Sequence, residues 1–223
     1  MGMGKTEEAL LGERFDDALT FARRVHATQL RKQTKIPYVS HLLAVSSLVL
    51  ENGGDEDEAI AALLHDAAED QGGEARLAEI RTRFGDRVAE IVDGCTDTVE
   101  EPKPDWKPRK EKYLKHLPLA SASVQLVSAA DKLHNARSIL VDYRDIGEAL
   151  WSRFRATRDE TLWYYRSVVE ALRPAGPTRL VDEIDRTIKE LEREIDLSGE
   201  RSGTPTADLG DLGRARAPRN SGG

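Results

Sequence analysis

The chain has one cysteine, Cys95, in 223 residues. That excludes an internal disulfide framework and a zinc site built from thiolates. No stretch reaches the roughly 18 apolar residues a membrane span needs. The first residues, with Glu7 and Glu8, lack the apolar core of a secretory signal. The expected compartment is the cytoplasm, with no membrane association. A basic excess is missing as well, since the formal charge is −7. That balance argues against nonspecific binding to nucleic acid or anionic lipid. Aromatic residues make up 5% and charged residues 33%, alongside abundant Ala, Leu, Glu and Arg. Such a composition favours helices around a small-residue core over a sheet.

Periodicity agrees, because apolar positions recur at helical spacing and no convincing alternating run appears. Helices are expected at about 6–30, from His41 to Asn52, from Asp55 to Asp70, at 74–83 and 85–98, then at 109–117, 121–141, 147–172 and 177–196. Ser40 and Asp55 are candidate N-caps, and Asn52-Gly53-Gly54 is a stop signal. Beyond Gly199 the sequence turns to Gly, Ser, Pro, Arg and Asp without apolar periodicity. The expectation is an all-α fold with one domain at 5–198 and a disordered tail at 199–223.

The segment Ala61-Ala-Leu-Leu-His65-Asp66-Ala-Ala-Glu69-Asp70 places four metal-binding or proton-transfer side chains in six positions. On a continuous helix His65 would stack near Glu69, and Asp66 near Asp70. His41 lies at the start of the preceding helix, and Asp131 lies within Ala129-Ala-Asp-Lys-Leu-His-Asn135. His41, His65, Asp66 and Asp131 together offer two imidazoles and two carboxylates. That donor set suits Mn²⁺ or Fe²⁺, with Mg²⁺ or Zn²⁺ as alternatives. Open coordination positions would take water and a phosphate oxygen. Basic residues cluster at Arg23–Lys35 and at Lys103–Lys115. A solvated surface explains such clusters equally well.

The order His…His-Asp…Asp resembles the HD-domain metal phosphohydrolases. The closer resemblance is to the (p)ppGpp hydrolase domain of RelA/SpoT-type proteins and to stand-alone small alarmone hydrolases of the metazoan SpoT-homologue type. It is carried by Arg31-Lys32, Pro37-Tyr-Val-Ser-His41, Ala62–Asp70, Phe84-Gly-Asp-Arg-Val88, Val92-Asp-Gly-Cys-Thr96 and Ala130–Ser138. By that resemblance the fold is a helical bundle, and His41, His65, Asp66 and Asp131 hold the metal, Mn²⁺ in first place. Glu69 and Asp70 are the acid–base pair. Arg31, Lys32, Tyr38, Asn135 and Ser138 meet the substrate, a guanosine polyphosphate that loses its 3′-pyrophosphate. A cognate alarmone synthetase is the implied partner.

Three features depart from the family pattern: the loop between Arg31 and Pro37 lacks the usual glycine, and two positions carry another residue. Leu42 follows His41 where relatives have proline, and Ser128 stands where a lysine is common. Other readings stay open: a different nucleotide substrate, such as the 2′-phosphate of NADPH or a nucleoside phosphate, or a nucleotide-binding module without catalysis. Of the remaining residues, His26 is expected to be structural and His134 to support the site or pack. His116 is expected to be exposed, the Trp and Tyr residues of 151–165 to fill the core, and Cys95 to be a small buried residue.

Overall fold

A computed structural model describes residues 10–100, 102–175 and 179–203. Its helices are α1 (Glu13–Val25), α2 (Val39–Glu51), α3 (Glu56–Leu64), α4 (Ala67–Asp70), α5 (Gly73–Phe84), α6 (Asp86–Cys95), α7 (Trp106–His116), α8 (Ala122–Ile146), α9 (Arg158–Leu172) and α10 (Arg179–Gly203). Short 3₁₀ turns lie at Leu117–Leu119, Gly147–Arg153 and Arg173–Ala175. The described residues form no strand, only an isolated bridge between Leu30 and Pro37. The architecture is all-α.

Helix α3 is the centre of the core. Ala59, Ile60, Ala61, Ala62, Leu63 and Leu64 are all fully buried, as expected of a helix that is apolar all round. It packs against α1, α2, α6 and α8. Its start is fixed by a capping box, in which Asp55 accepts from the Glu58 N–H at 3.0 Å and Glu58 accepts from the Asp55 N–H at 2.9 Å. The long α8 runs alongside α2, α6 and α10. Ser121 caps it by accepting from the Val124 N–H. Gly94 brings α6 close to α8, and a Cβ there would meet Val124 Cγ2 at 2.6 Å.

Several boundaries differ from the sequence expectation. The helix expected over 55–70 breaks at His65-Asp66, so α3 and α4 are separate. The helix expected over 147–172 starts only at Arg158, because Thr157 and Glu160 form a second capping box and Gly147 ends α8 at φ +57°. Helix α1 ends at Val25, well before Leu30. The following segment turns back on itself, with Arg31 N–H donating to the Ile36 carbonyl and Tyr38 N–H to the Gln29 carbonyl. Helix α2 starts at Val39 with Tyr38 as N-cap and no side-chain cap, so Ser40 does not cap it. Helix α7 starts three residues early, since Pro108 sits in its first turn, where no N–H is needed. Helix α10 continues through Gly199 to Gly203, so the segment expected as tail begins in a helix. The rest of that segment, 204–223, and residues 6–9 of the first expected helix lie outside the described residues, as does 176–178 before α10.

Candidate metal centre

His41 lies in the first turn of α2, and His65 and Asp66 form the α3–α4 junction. Asp131 lies a third of the way along α8. These elements converge. His41 Nε2 is 3.2 Å from Asp131 Oδ1 and 3.6 Å from Asp66 Oδ2. His65 Nε2 is 2.9 Å from Asp66 Oδ2 and 3.7 Å from Asp131 Oδ1. Ligand atoms of His41, His65 and Asp66 all fall within 4.8 Å of one another. The helix break has a consequence for this site. It lets the adjacent residues His65 and Asp66 point to one spot, which a continuous helix would not allow.

The donor set fits a divalent cation on three counts. His65 Nδ1 is 2.9 Å from the Ala62 carbonyl, which can only accept, so Nδ1 carries a proton and Nε2 is the nitrogen left to take a cation in place of its own proton. That Nε2 is buried and has no hydrogen-bond partner among the described residues. The two carboxylates balance two positive charges. Cis ligands about 2.1 Å from an ion stand about 3 Å apart, and the observed spacings lie near that value. Burial alone would push the Asp66 and Asp131 carboxyls up. The neighbouring charges, His65 at Asp66 and the Lys132 ammonium at Asp131, hold both well below the usual carboxylate range.

A ring of further contacts orients these groups. The Tyr38 hydroxyl donates to Asp66 Oδ2. Burial, reinforced by the Asp66 charge, raises its pKa and keeps it a donor. Asn135 donates to Asp131 Oδ1, and its own carbonyl oxygen accepts from Arg31 at 2.9 Å. Arg31 also reaches the Ser138 hydroxyl at 3.4 Å. His41 Nδ1 lies 2.8 Å from His134 Nδ1. Burial lowers the His134 pKa to about 4, so this ring is neutral at neutral pH.

Arg31, Tyr38, Asn135 and Ser138 thus gather beside the four candidate ligands. Lys32 does not join them; its ammonium lies over the Phe154 ring, 5.3 Å from the centroid. The Asp70 N–H donates to the Asp66 carbonyl at 3.0 Å, so Asp70 stands one turn past Asp66. Glu69 accepts from the Asp97 N–H at 3.2 Å and from Lys103 Nζ at 3.2 Å. Asp70 accepts from Gln29 Nε2 at 2.8 Å and from Lys103 at 3.4 Å.

Sequence reasoning found this basic cluster without placing it beside Glu69 and Asp70. Asp97 pairs with both Arg109 and Lys110, Lys110 at 2.9 Å. Lys132 pairs with Asp131 Oδ2. Ser128 is buried, accepts the Tyr113 hydroxyl at 2.8 Å and lies 3.6 Å from the Cys95 thiol. Burial pushes that thiol up to about 11, which keeps it unreactive. His26 is buried, stacks on Tyr38 and meets Gln29 at 2.7 Å. His116 is exposed.

Residues 18–162 match the HD domain family, and the chain belongs to that family. Its relatives are informative about chemistry. The guanosine-3′,5′-bis(diphosphate) 3′-pyrophosphohydrolase MESH1 of Xenopus tropicalis is 39% identical over 126 residues, which cover 55% of this chain and 68% of that protein. The guanosine-3′,5′-bis(diphosphate) 3′-pyrophosphohydrolase of Aquifex aeolicus is 37% identical over 132 residues, 58% of this chain but only 18% of that longer protein. Among solved structures, a metazoan ortholog of SpoT that hydrolyzes ppGpp and plays a role in starvation responses is similar at TM-score 0.63. It is 25% identical, and the match covers 88% of this chain and 99% of that one. Among the described residues no helix is long and apolar enough to cross a membrane.

Proposed function

We propose that the chain hydrolyses the 3′-pyrophosphate of guanosine polyphosphates, ppGpp and pppGpp, releasing pyrophosphate and GDP or GTP. The observation that carries this reading is the convergence of His41, His65, Asp66 and Asp131 from three separate parts of the chain onto one buried spot. Two imidazoles with two carboxylates favour Mn²⁺, then Fe²⁺, Mg²⁺ or Zn²⁺. A divalent ion held there supplies a Lewis acid and lowers the pKa of water.

The chain's own residues do the rest. Glu69 and Asp70 sit one turn past Asp66 and take the proton from the attacking water, then return it to the departing 3′ oxygen. An O–P bond forms, the P–O3′ bond breaks, and the pyrophosphate leaves. Lys103 bridges both carboxylates. Burial lowers its own pKa, and the Glu69 charge more than offsets that. Arg31, aimed by Asn135 and Ser138, pairs with a substrate phosphate. Lys32 would have to leave the Phe154 ring to do the same. The cytoplasm, where guanosine nucleotides and a cognate synthetase reside, is the matching compartment.

The test is product analysis after incubating the protein and Mn²⁺ with ppGpp, NADPH and simple nucleotides separately. Pyrophosphate and GDP from ppGpp are expected, and they should vanish in Asp66→Ala while the variant stays folded by circular dichroism. Orthophosphate from NADPH with no turnover of ppGpp would overturn the substrate. Unchanged activity in Asp66→Ala would overturn the site.

A further inference from the structure

The two histidine ligands are oriented in different ways. His65 Nδ1 faces the Ala62 carbonyl, an acceptor only, and its tautomer is fixed by the backbone. His41 Nδ1 faces another imidazole, His134 Nδ1, at 2.8 Å, with ring centroids 4.8 Å apart. Two such nitrogens share one proton, so one donates and the other accepts. Which one donates decides what His41 presents on its far side. With the proton on His41 Nδ1, its Nε2 lone pair faces Asp66 and Asp131. With the proton on His134 Nδ1, His41 carries its own proton on Nε2. That proton points at Asp131 Oδ1, 3.2 Å away, and the ring cannot bind a cation.

We propose that His134 is a positioning residue that gives His41 its metal-binding tautomer by accepting the His41 Nδ1 proton. The inference rests on the metal reading of the site and is independent of its substrate. The exchange between the two arrangements balances. The shared proton passes from His134 Nδ1 to His41 Nδ1, His41 releases its Nε2 proton, and His134 takes one on Nε2. Both rings stay neutral throughout. His41 is 1% exposed, whereas His134 is half-buried, so the outer ring is the one that trades protons with solvent. Asp131 and His134 stand three apart on α8 and share a face. One helix therefore supplies a ligand and orients a second ligand on α2. A hydrogen-bonded partner of this kind is a recurring device for ligating histidines.

The experiment is titration of the full chain with Mn²⁺, read by the electron paramagnetic resonance signal of free ion, for wild type and three variants. His134→Leu removes the acceptor and should weaken binding about 10- to 100-fold. His134→Asn places Oδ1 where Nδ1 stood and should recover most of that loss. His134→Gln, whose amide lies one bond farther out, should resemble the leucine variant and stands in for it if that variant does not fold. Metal-free melting temperatures that match across the folded variants separate ligand orientation from general destabilisation. Equal Mn²⁺ affinity in wild type and the folded leucine or glutamine variant overturns the proposal. No Mn²⁺ binding by the wild type overturns it together with the metal reading.

Discussion

Asp66 meets four groups: His41, His65, the Tyr38 hydroxyl and, through space, the Asp131 charge. Tyr38 is the one neutral donor among them, and it fixes which carboxylate oxygen faces the imidazoles. Tyr38→Phe removes that donor and keeps the ring stacked on His26. The expected outcome is Mn²⁺ affinity lower by about 10-fold or more, with the fold retained. A residue that only touched nucleotide would instead raise KM for ppGpp and leave the Mn²⁺ titration unchanged. The four proposed ligands were legible in the sequence because each lies in a short motif with its own spacing. The contacts around them were not. Lys103, Arg109 and Lys110 read equally well as a solvated loop, and nothing in the sequence says that Asp97 and Glu69 lie within their reach. His134 was legible as a supporting or packing residue, but its partner was not. Its bond to His41 spans 93 positions and exists only once α2 and α8 pack together.

At the scale of elements, helix starts were read better than helix continuity. Asp55 was legible as a cap because an acidic residue after Asn-Gly-Gly is a strong start signal. The second capping box, Thr157 with Glu160, carries the same signal, yet the apolar periodicity on either side hid it. The break at His65-Asp66 has no breaker residue at all, since Ala, Leu, His and Asp all tolerate a helix. The packing of tertiary neighbours decides it. Asp55 offers a direct measurement. Burial pushes its carboxyl up, but the Glu58 N–H and Arg87 together outweigh that and hold it below 3.8. A carboxyl depressed on folding contributes stability above its unfolded pKa, and that contribution is lost as pH falls through the folded value. The side chain is half exposed, so Asp55→Ala should cost about 0.5–1 kcal/mol at neutral pH. The difference from wild type should shrink toward zero in urea melts at pH values well below 3.8. A difference that persists there would mean that Asp55 acts through packing and not through its charge.

For the whole molecule, the site and the core are one construction. The buried stretch Ala59–Leu64 of α3 holds α2 and α8 against itself, and the candidate ligands emerge where those helices meet its C-terminal end. A cation at that point joins α2, the α3–α4 junction and α8, contacts that exist together only in the folded chain. It therefore binds the native state and not the unfolded one, and stability must rise with its concentration. At a free Mn²⁺ concentration of about 100 times Kd the gain is about 2.7 kcal/mol. A chelator should reverse it. Asp131→Ala should abolish the gain, because it removes the only ligand from α8. It should do so even if the metal-free variant melts higher than wild type, as relief of the Asp66–Asp131 repulsion would allow. The measurement is a set of thermal melts over a Mn²⁺ series for both proteins. A Mn²⁺-dependent shift of equal size in Asp131→Ala would place the ion elsewhere. It would also remove the link between the central helix, its break and the chemistry drawn from them.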